Sequence, residues 1–220
     1  MLEIEGALLE GRPPRYVQVP TAAAPEGPAV LKKWMDLGLA QAERLGVEAV
    51  PVAARNREEA DDPAFADLVE GAGLVYLSGG DPAYLADTLR GTRLWAAVLA
   101  AYENGAALAG CSAGAMALTT WAPSPAQMRG ETTTSGLGLV PHLRVLPHFD
   151  RMPQWVPAEV MAVMVTAPPG IAVVGVDEDT AIVGGPEEWE VRGRQSAWVL
   201  HADGRREEMP PGTSFGISRS

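Results

Sequence analysis

Residues 106–118 read Ala106-Ala107-Leu108-Ala109-Gly110-Cys111-Ser112-Ala113-Gly114-Ala115-Met116-Ala117-Leu118, and this stretch decides the fold. An apolar run leads into a serine with glycine two residues away on each side, and a small-residue helix pattern follows. That is the pattern of a nucleophile elbow, a sharp strand-to-helix turn. The backbone of the serine is strained in such a turn, and bulky neighbours two positions before and after it would collide, so both positions call for glycine. The turn lifts the hydroxyl out of the sheet and over a helix N-terminus, where the next backbone N–H can stabilise an oxyanion. Cys111 is the rival nucleophile. Centring the elbow on it puts Ala109 and Ala113 at the flanks, sterically poorer than Gly110 and Gly114.

Working outward, apolar periodicity predicts a strand at Tyr16 to Pro20, an amphipathic helix over Pro28 to Leu45 and a strand at Glu48 to Val52. A helix follows that starts in the acidic run Glu58 to Asp62 and carries Phe65, Leu68 and Val69. Gly73 to Ser78 is a third strand, and Ala83 to Arg90 and Leu94 to Asn104 are helical. Repeated strand–helix alternation implies right-handed crossovers and a largely parallel sheet covered on both faces. Beyond the elbow, Thr119 to Pro141 dissolves into Pro, Thr, Ser and Gly, a loop long enough to be functional. Arg144 to Phe149 is a strand, Trp155 to Thr166 a helix, and Ile171 to Val176 a buried strand. Short β-like runs at Thr180 to Val183, Trp189 to Arg192 and Ala197 to His201, separated by Gly/Pro/Asp turn signals, predict antiparallel edge strands. The expected fold class is α/β: a three-layer sandwich with a mainly parallel sheet and antiparallel C-terminal edge strands, in one domain over residues 1–220. Ligands of such sheets sit beyond the carboxyl ends of the strands.

Composition narrows the function. The chain has 220 residues of which 47% are hydrophobic, enough for one sizeable core. The span from Asn104 to Met128 lacks acids and bases but is broken by Gly and Pro, so it is no membrane helix. Acids at Glu3 and Glu5 stand where a signal peptide would be basic, so a cytoplasmic location is expected. A single cysteine excludes an internal disulfide, and His142, His148 and His201 have no clustered cysteines, so neither a metal nor a cofactor is expected. The net charge of −11, with no long Lys/Arg run, argues against nucleic-acid and anionic-membrane partners. A small peptide or amide is the expected partner. The tail tryptophans Trp189 and Trp198 are candidates for a homodimer contact.

A serine hydroxyl needs a base, most often histidine, itself oriented by a carboxylate. His201 lies beside a predicted hairpin turn and His142 in the loop. His148 closes an apolar strand at the sheet edge where the elbow also lies, which makes it the best-placed base. For the acid, Asp150, Glu131, Asp177, Glu178 and Asp179 stay open. Asp150 is only two residues from His148, too near to reach Nδ1 easily. Asp177 to Asp179 follow the buried strand Ile171 to Val176 at the same sheet edge.

Several segments occur in order: Gly79-Gly80-Asp81-Pro82 with Leu85 and Leu89, then Ala109 to Ala115, then Pro147-His148-Phe149, then Gly175-Val176-Asp177-Glu178-Asp179-Thr180-Ala181. Together they resemble the dipeptidase E and cyanophycinase family of serine peptidases, from about Tyr16 to Val183. The resemblance implies a class I glutamine amidotransferase-like fold, with Ser112 as nucleophile and His148 as base. It implies Glu178 as the acid, as in the cyanophycinase branch. The dipeptidase branch takes an aspartate from the loop after the elbow, and this chain has none between Ser112 and Pro147. The backbone N–H groups of Gly80 and Ala113 would form the oxyanion hole. The chain departs from the family in carrying Asp81 where dipeptidase E relatives generally have Asn, in offering only Arg151 where cyanophycinases have several arginines, and in lacking a strand and Gly-rich turn before Leu2 to Glu10. The function implied is a serine hydrolase that cleaves a small peptide or amide. Arg129, Arg151 and Asp81 are candidate substrate contacts, since arginine grips carboxylates and aspartate meets amines. The alternatives are a non-catalytic ligand-binding or regulatory protein on the same fold, and a glutaminase-like amidotransferase using Cys111.

Overall fold

The structure, a computed structural model, describes residues 2–123 and 135–217. Its elements run α1 (Leu2–Leu9), β1 (Arg15–Val19), a 3₁₀ turn (Thr21–Glu26), α2 (Pro28–Leu45), β2 (Glu48–Pro51), α3 (Arg57–Ala60), α4 (Pro63–Asp67), β3 (Leu74–Leu77), α5 (Pro82–Leu89), α6 (Arg93–Glu103), β4 (Ala107–Gly110) and α7 (Ala113–Leu118). After the loop come β5 (Leu143–Pro147), α8 (Met152–Trp155), α9 (Ala158–Val165), β6 (Ala172–Val176), β7 (Thr180–Gly184), β8 (Glu188–Gly193), β9 (Ala197–Leu200), β10 (Arg206–Met209) and β11 (Ser214–Gly216).

Local chemistry sets the helix bounds. α2 opens on Pro28, whose missing N–H costs nothing in the first turn, and stops at Gly46 in the left-handed region (φ 70°), whose N–H reaches back to the Ala42 and Glu43 carbonyls. The acidic run is not one helix. The Asn56 side chain caps α3 by accepting the Glu59 N–H, and Asp62, accepting the Ala64 N–H ahead of Pro63, starts α4 as a new helix. The helix expected over Trp155 to Thr166 is present as α9, which starts only after Pro157, while Trp155 closes the separate short helix α8.

The first sheet has the order β2-β1-β3-β4 and is parallel throughout. Val17, Val19, Val75 and Leu77 face α5, α6 and α7 through Leu85, Leu89, Leu94, Val98 and Ala117. Tyr16, Leu74 and Ala107 on the opposite face meet Leu9 of α1 and Ala42 of α2. This gives helix, sheet and helix layers, as expected for buried parallel strands. The second sheet has the order β10-β9-β6-β5, with β5 and β6 parallel and β9 and β10 antiparallel to their neighbours. A separate antiparallel sheet, β11-β8-β7, covers it. The antiparallel C-terminal strands are therefore present, while the parallel strands are shared between two sheets. β4 and β5 are the facing edges. They line one cleft of about 640 Å³, and α7 packs against both.

No helix among the described residues is long and apolar enough to cross a membrane. Trp189 and Trp198, the candidate dimer contacts, are half-buried: Trp189 packs on the Val145–Val191 core, and Trp198 lies against Phe149 and donates to Asp177.

Candidate active site

The β4–α7 turn is built around its glycines. A Cβ on Gly110 would run into the backbone of Gly114 and Ala115, and one on Gly114 would strike the Leu77 carbonyl of the neighbouring strand. Only hydrogen fits at either place. Between them Ser112 takes φ 50°, ψ −116°, a conformation that L-residues adopt at a cost of order 1–3 kcal/mol. The chain turns so tightly that the Cys111 N–H still bonds to Leu77 of β3 while the Met116 N–H already bonds to Ser112 as the start of α7.

The β3–α5 turn borders the same place. A Cβ on Gly79 would lie 3.3 Å from the Ser112 Cβ, and one on Gly80 (φ 139°) would collide with the Ala22 carbonyl. Of the expected oxyanion donors, Ala113 thus belongs to the turn that holds Ser112 and Gly80 to the turn beside it. Asp81 serves the fold of this turn. Its N–H donates to Ala22 O (2.8 Å) and its Oδ1 accepts the Tyr84 N–H (2.9 Å) as the cap of α5. One carboxylate oxygen is therefore engaged within the protein.

His148 directly follows β5, with φ 55°. It is held there because the Phe149 N–H bonds to Val176 O (3.0 Å) and the Phe149 ring fills the space that a side chain at Gly175 would need. Its Nδ1 lies 2.8 Å from Glu178 Oε1 and its Nε2 lies 3.0 Å from Ser112 Oγ. A carboxylate only accepts, so the ring proton belongs on Nδ1, and the free Nε2 lone pair accepts the serine O–H. Glu178 sits on the turn between β6 and β7. Among the described residues the three non-glycine positions of positive φ are Ser112, His148 and Asp179, the neighbour of Glu178. All the backbone strain of this kind is collected around one hydrogen-bonded chain. The His148 and Glu178 side chains are 36% and 40% exposed, so water reaches the site and screens the ion pair that proton transfer creates.

The other candidates go elsewhere. Asp177 Oδ2 accepts the Trp198 Nε1–H (3.0 Å), and Asp179 faces Arg194 (3.5 Å). His142 contacts the Pro186 carbonyl, and His201 pairs with Glu207 across the β9–β10 hairpin. Asp150 reaches the Glu178 backbone rather than His148 (2.9 Å), and Arg151 lies beside Asp150 (3.3 Å). Arg129 and Glu131 lie outside the described residues. Cys111 lies beside the Tyr76 hydroxyl, and burial pushes its thiol up from the ordinary value, which disfavours the thiolate. Among the described residues no group of three or more His, Cys, Asp or Glu could hold a metal ion. Sequence reasoning missed Trp155. Its ring stands 6.1 Å from that of His148, and the residue is 62% exposed. An aromatic seven residues past the candidate base was the available signal.

Comparison with known proteins adds the lineage. Peptidase family S51 matches residues 4–191. The crystal structure of a peptidase from an acI-B1 actinobacterium superposes with a TM-score of 0.89 at 38% sequence identity, covering 98% of this chain and 90% of that one. A putative peptidase E protein from Listeria monocytogenes EGD-e superposes with a TM-score of 0.58 at 17% identity, covering 96% of this chain and 93% of its own, a likeness of fold. No curated protein matches the chain.

Proposed function

Because the chain belongs to peptidase family S51 and is a serine peptidase, we propose that it hydrolyses a small peptide through Ser112, His148 and Glu178. The observation that carries the reading is the single imidazole that meets a strained serine on one side and a carboxylate on the other. In the first step His148 Nε2 takes the Ser112 proton as Oγ bonds to the scissile carbonyl carbon. Negative charge moves to the carbonyl oxygen, where the Gly80 and Ala113 N–H groups stabilise it. Glu178 holds the imidazolium and its tautomer. The tetrahedral intermediate collapses as His148 returns the proton to the departing amine. Water then repeats the cycle on the acyl-enzyme, releasing the acid and restoring Ser112.

A small substrate suits a cleft of about 640 Å³, within the usual range for ligand pockets. Arg151, 53% exposed and three residues past the base, is the cation we assign to a substrate carboxylate. The test is incubation with a panel of dipeptides and tripeptides, reading released amino acids by mass spectrometry. Cleavage of members of the panel is expected. A folded enzyme that cleaves only longer polypeptides would contradict the small-substrate reading.

A further inference from the structure

We propose that Asp150 is a positioning residue for the catalytic acid, fixing the Glu178 backbone to the loop that carries His148. This rests on the triad reading given above.

Glu178 is the most weakly supported member of the chain by its own nature. Glutamate has three side-chain torsions, its side chain is 40% exposed, and it stands on a turn rather than in a strand. A carboxylate so placed orients an imidazole only if its backbone is fixed relative to the ring. Several hydrogen bonds address that backbone. Thr180 Oγ1 (3.1 Å) and Gln195 Nε2 (2.9 Å) both donate to Glu178 O, and Thr180 Oγ1 in turn accepts the Gln195 N–H (3.0 Å). These bonds tie the turn to its own side of the site, to β7 and the β8–β9 connection. Neither touches the histidine loop.

The Glu178 N–H does. It donates to Asp150 Oδ1 at 2.9 Å, and Asp150 lies two residues past His148. A closed ring results: His148 Nδ1 to the Glu178 carboxylate, back through the Glu178 side chain and its N–H to Asp150, and along the main chain through Phe149 to His148. The Phe149 N–H bond to Val176 O adds a backbone tie between the same two loops. The second Asp150 oxygen faces the Arg151 guanidinium at 3.3 Å, which leaves Oδ1 to Glu178. The Asp150 side chain is 23% exposed, and its bond to the Glu178 N–H is partly buried. The short spacing that keeps Asp150 from reaching Nδ1 is what lets it hold the residue that does. Preorganised support of this kind decides whether a catalytic group is within a few tenths of an ångström of its working place, and a misplacement of 1 Å can cost about 10²-fold.

Two variants and one control test the proposal, using dipeptide hydrolysis and the rate of fluorophosphonate labelling, with thermal melts of each protein. Asp150→Ala removes the acceptor and is expected to lower kcat by roughly 10–100-fold with KM changed by less than about threefold, and to slow labelling in parallel. Asp150→Asn keeps an oxygen at Oδ1 and is expected to restore both rates to within about threefold of wild type. Wild-type rates in Asp150→Ala would overturn the proposal. So would an Asp150→Asn protein as slow as Asp150→Ala, since that loss would follow the charge or the fold and not the acceptor. Glu178→Gln separates the two levels of the argument. Where it abolishes turnover and Asp150→Ala does not slow it, the positioning role alone fails; where it leaves turnover unchanged, the triad itself fails.

Discussion

Ser112→Ala is expected to lower kcat for dipeptide hydrolysis by about 10⁴–10⁶-fold, with KM changed little. The reacting oxygen disappears, whereas the groups that bind substrate do not. Residual catalysis would come from the oxyanion donors and from substrate positioning, which alone supply roughly 10³–10⁴ over water. No neighbour can replace the serine. Cys111 is adjacent, but the elbow presents the residue held at φ 50°, and the half-buried thiol is hydrogen-bonded to Tyr76 and disfavoured as the thiolate. The substitution should leave the fold intact, because alanine keeps the Cβ and removes only the hydroxyl. Single-turnover and steady-state rates of the purified variant check this. A kcat within tenfold of wild type would remove Ser112 from the chemistry.

Glu178→Gln is expected to cost about 10³–10⁴-fold in kcat, for a reason of tautomers rather than of charge alone. The carboxylate can only accept, so it keeps the proton on Nδ1 and the lone pair on Nε2, facing Ser112 at 3.0 Å. A carboxamide can present its NH₂ to Nδ1. The imidazole then carries its proton on Nε2 and cannot take the one from serine. Glu178→Asp retracts the carboxylate by one methylene and should fall between Gln and wild type. Asp177 and Asp179 do not offer a substitute, since they are engaged by Trp198 and Arg194. The comparison with Asp177→Asn is the informative one: kcat falling more there than in Glu178→Gln would move the acid to Asp177.

Much of this was legible in the sequence, for identifiable reasons. Gly110 and Gly114 announced the elbow because their constraint is local: each Cβ would meet backbone within the turn or on the next strand. α2 was readable from Pro28 and the apolar spacing, and its stop at Gly46 follows the ordinary cap rule. His148 followed from its place at a strand end. Glu178 did not follow from spacing, because three consecutive acids occupy one turn and periodicity cannot say which meets a ring thirty positions away. The resemblance singled it out. The contact of Asp150 was hidden for the same reason, since its partner is the Glu178 backbone N–H, brought in just after β6. The sharing of the parallel strands between two sheets was not legible either. It depends on which edges pair, and the apolar runs of β4 and β5 read alike whether or not they touch. β10 and β11 went unread because Arg206 to Glu208 is charged and Ser214 to Gly216 is short, the usual disguise of edge strands.

The measurement that goes furthest toward the central claim is intact-mass detection of fluorophosphonate labelling on wild type, Ser112→Ala and His148→Ala. One adduct on wild type, none on Ser112→Ala and at most trace labelling of His148→Ala is the expected result, because only a serine that shares its proton with an imidazole attacks the probe at a useful rate. An unlabelled, folded wild type, or an adduct that persists in Ser112→Ala, would contradict the Ser112–His148 pair as the reacting centre.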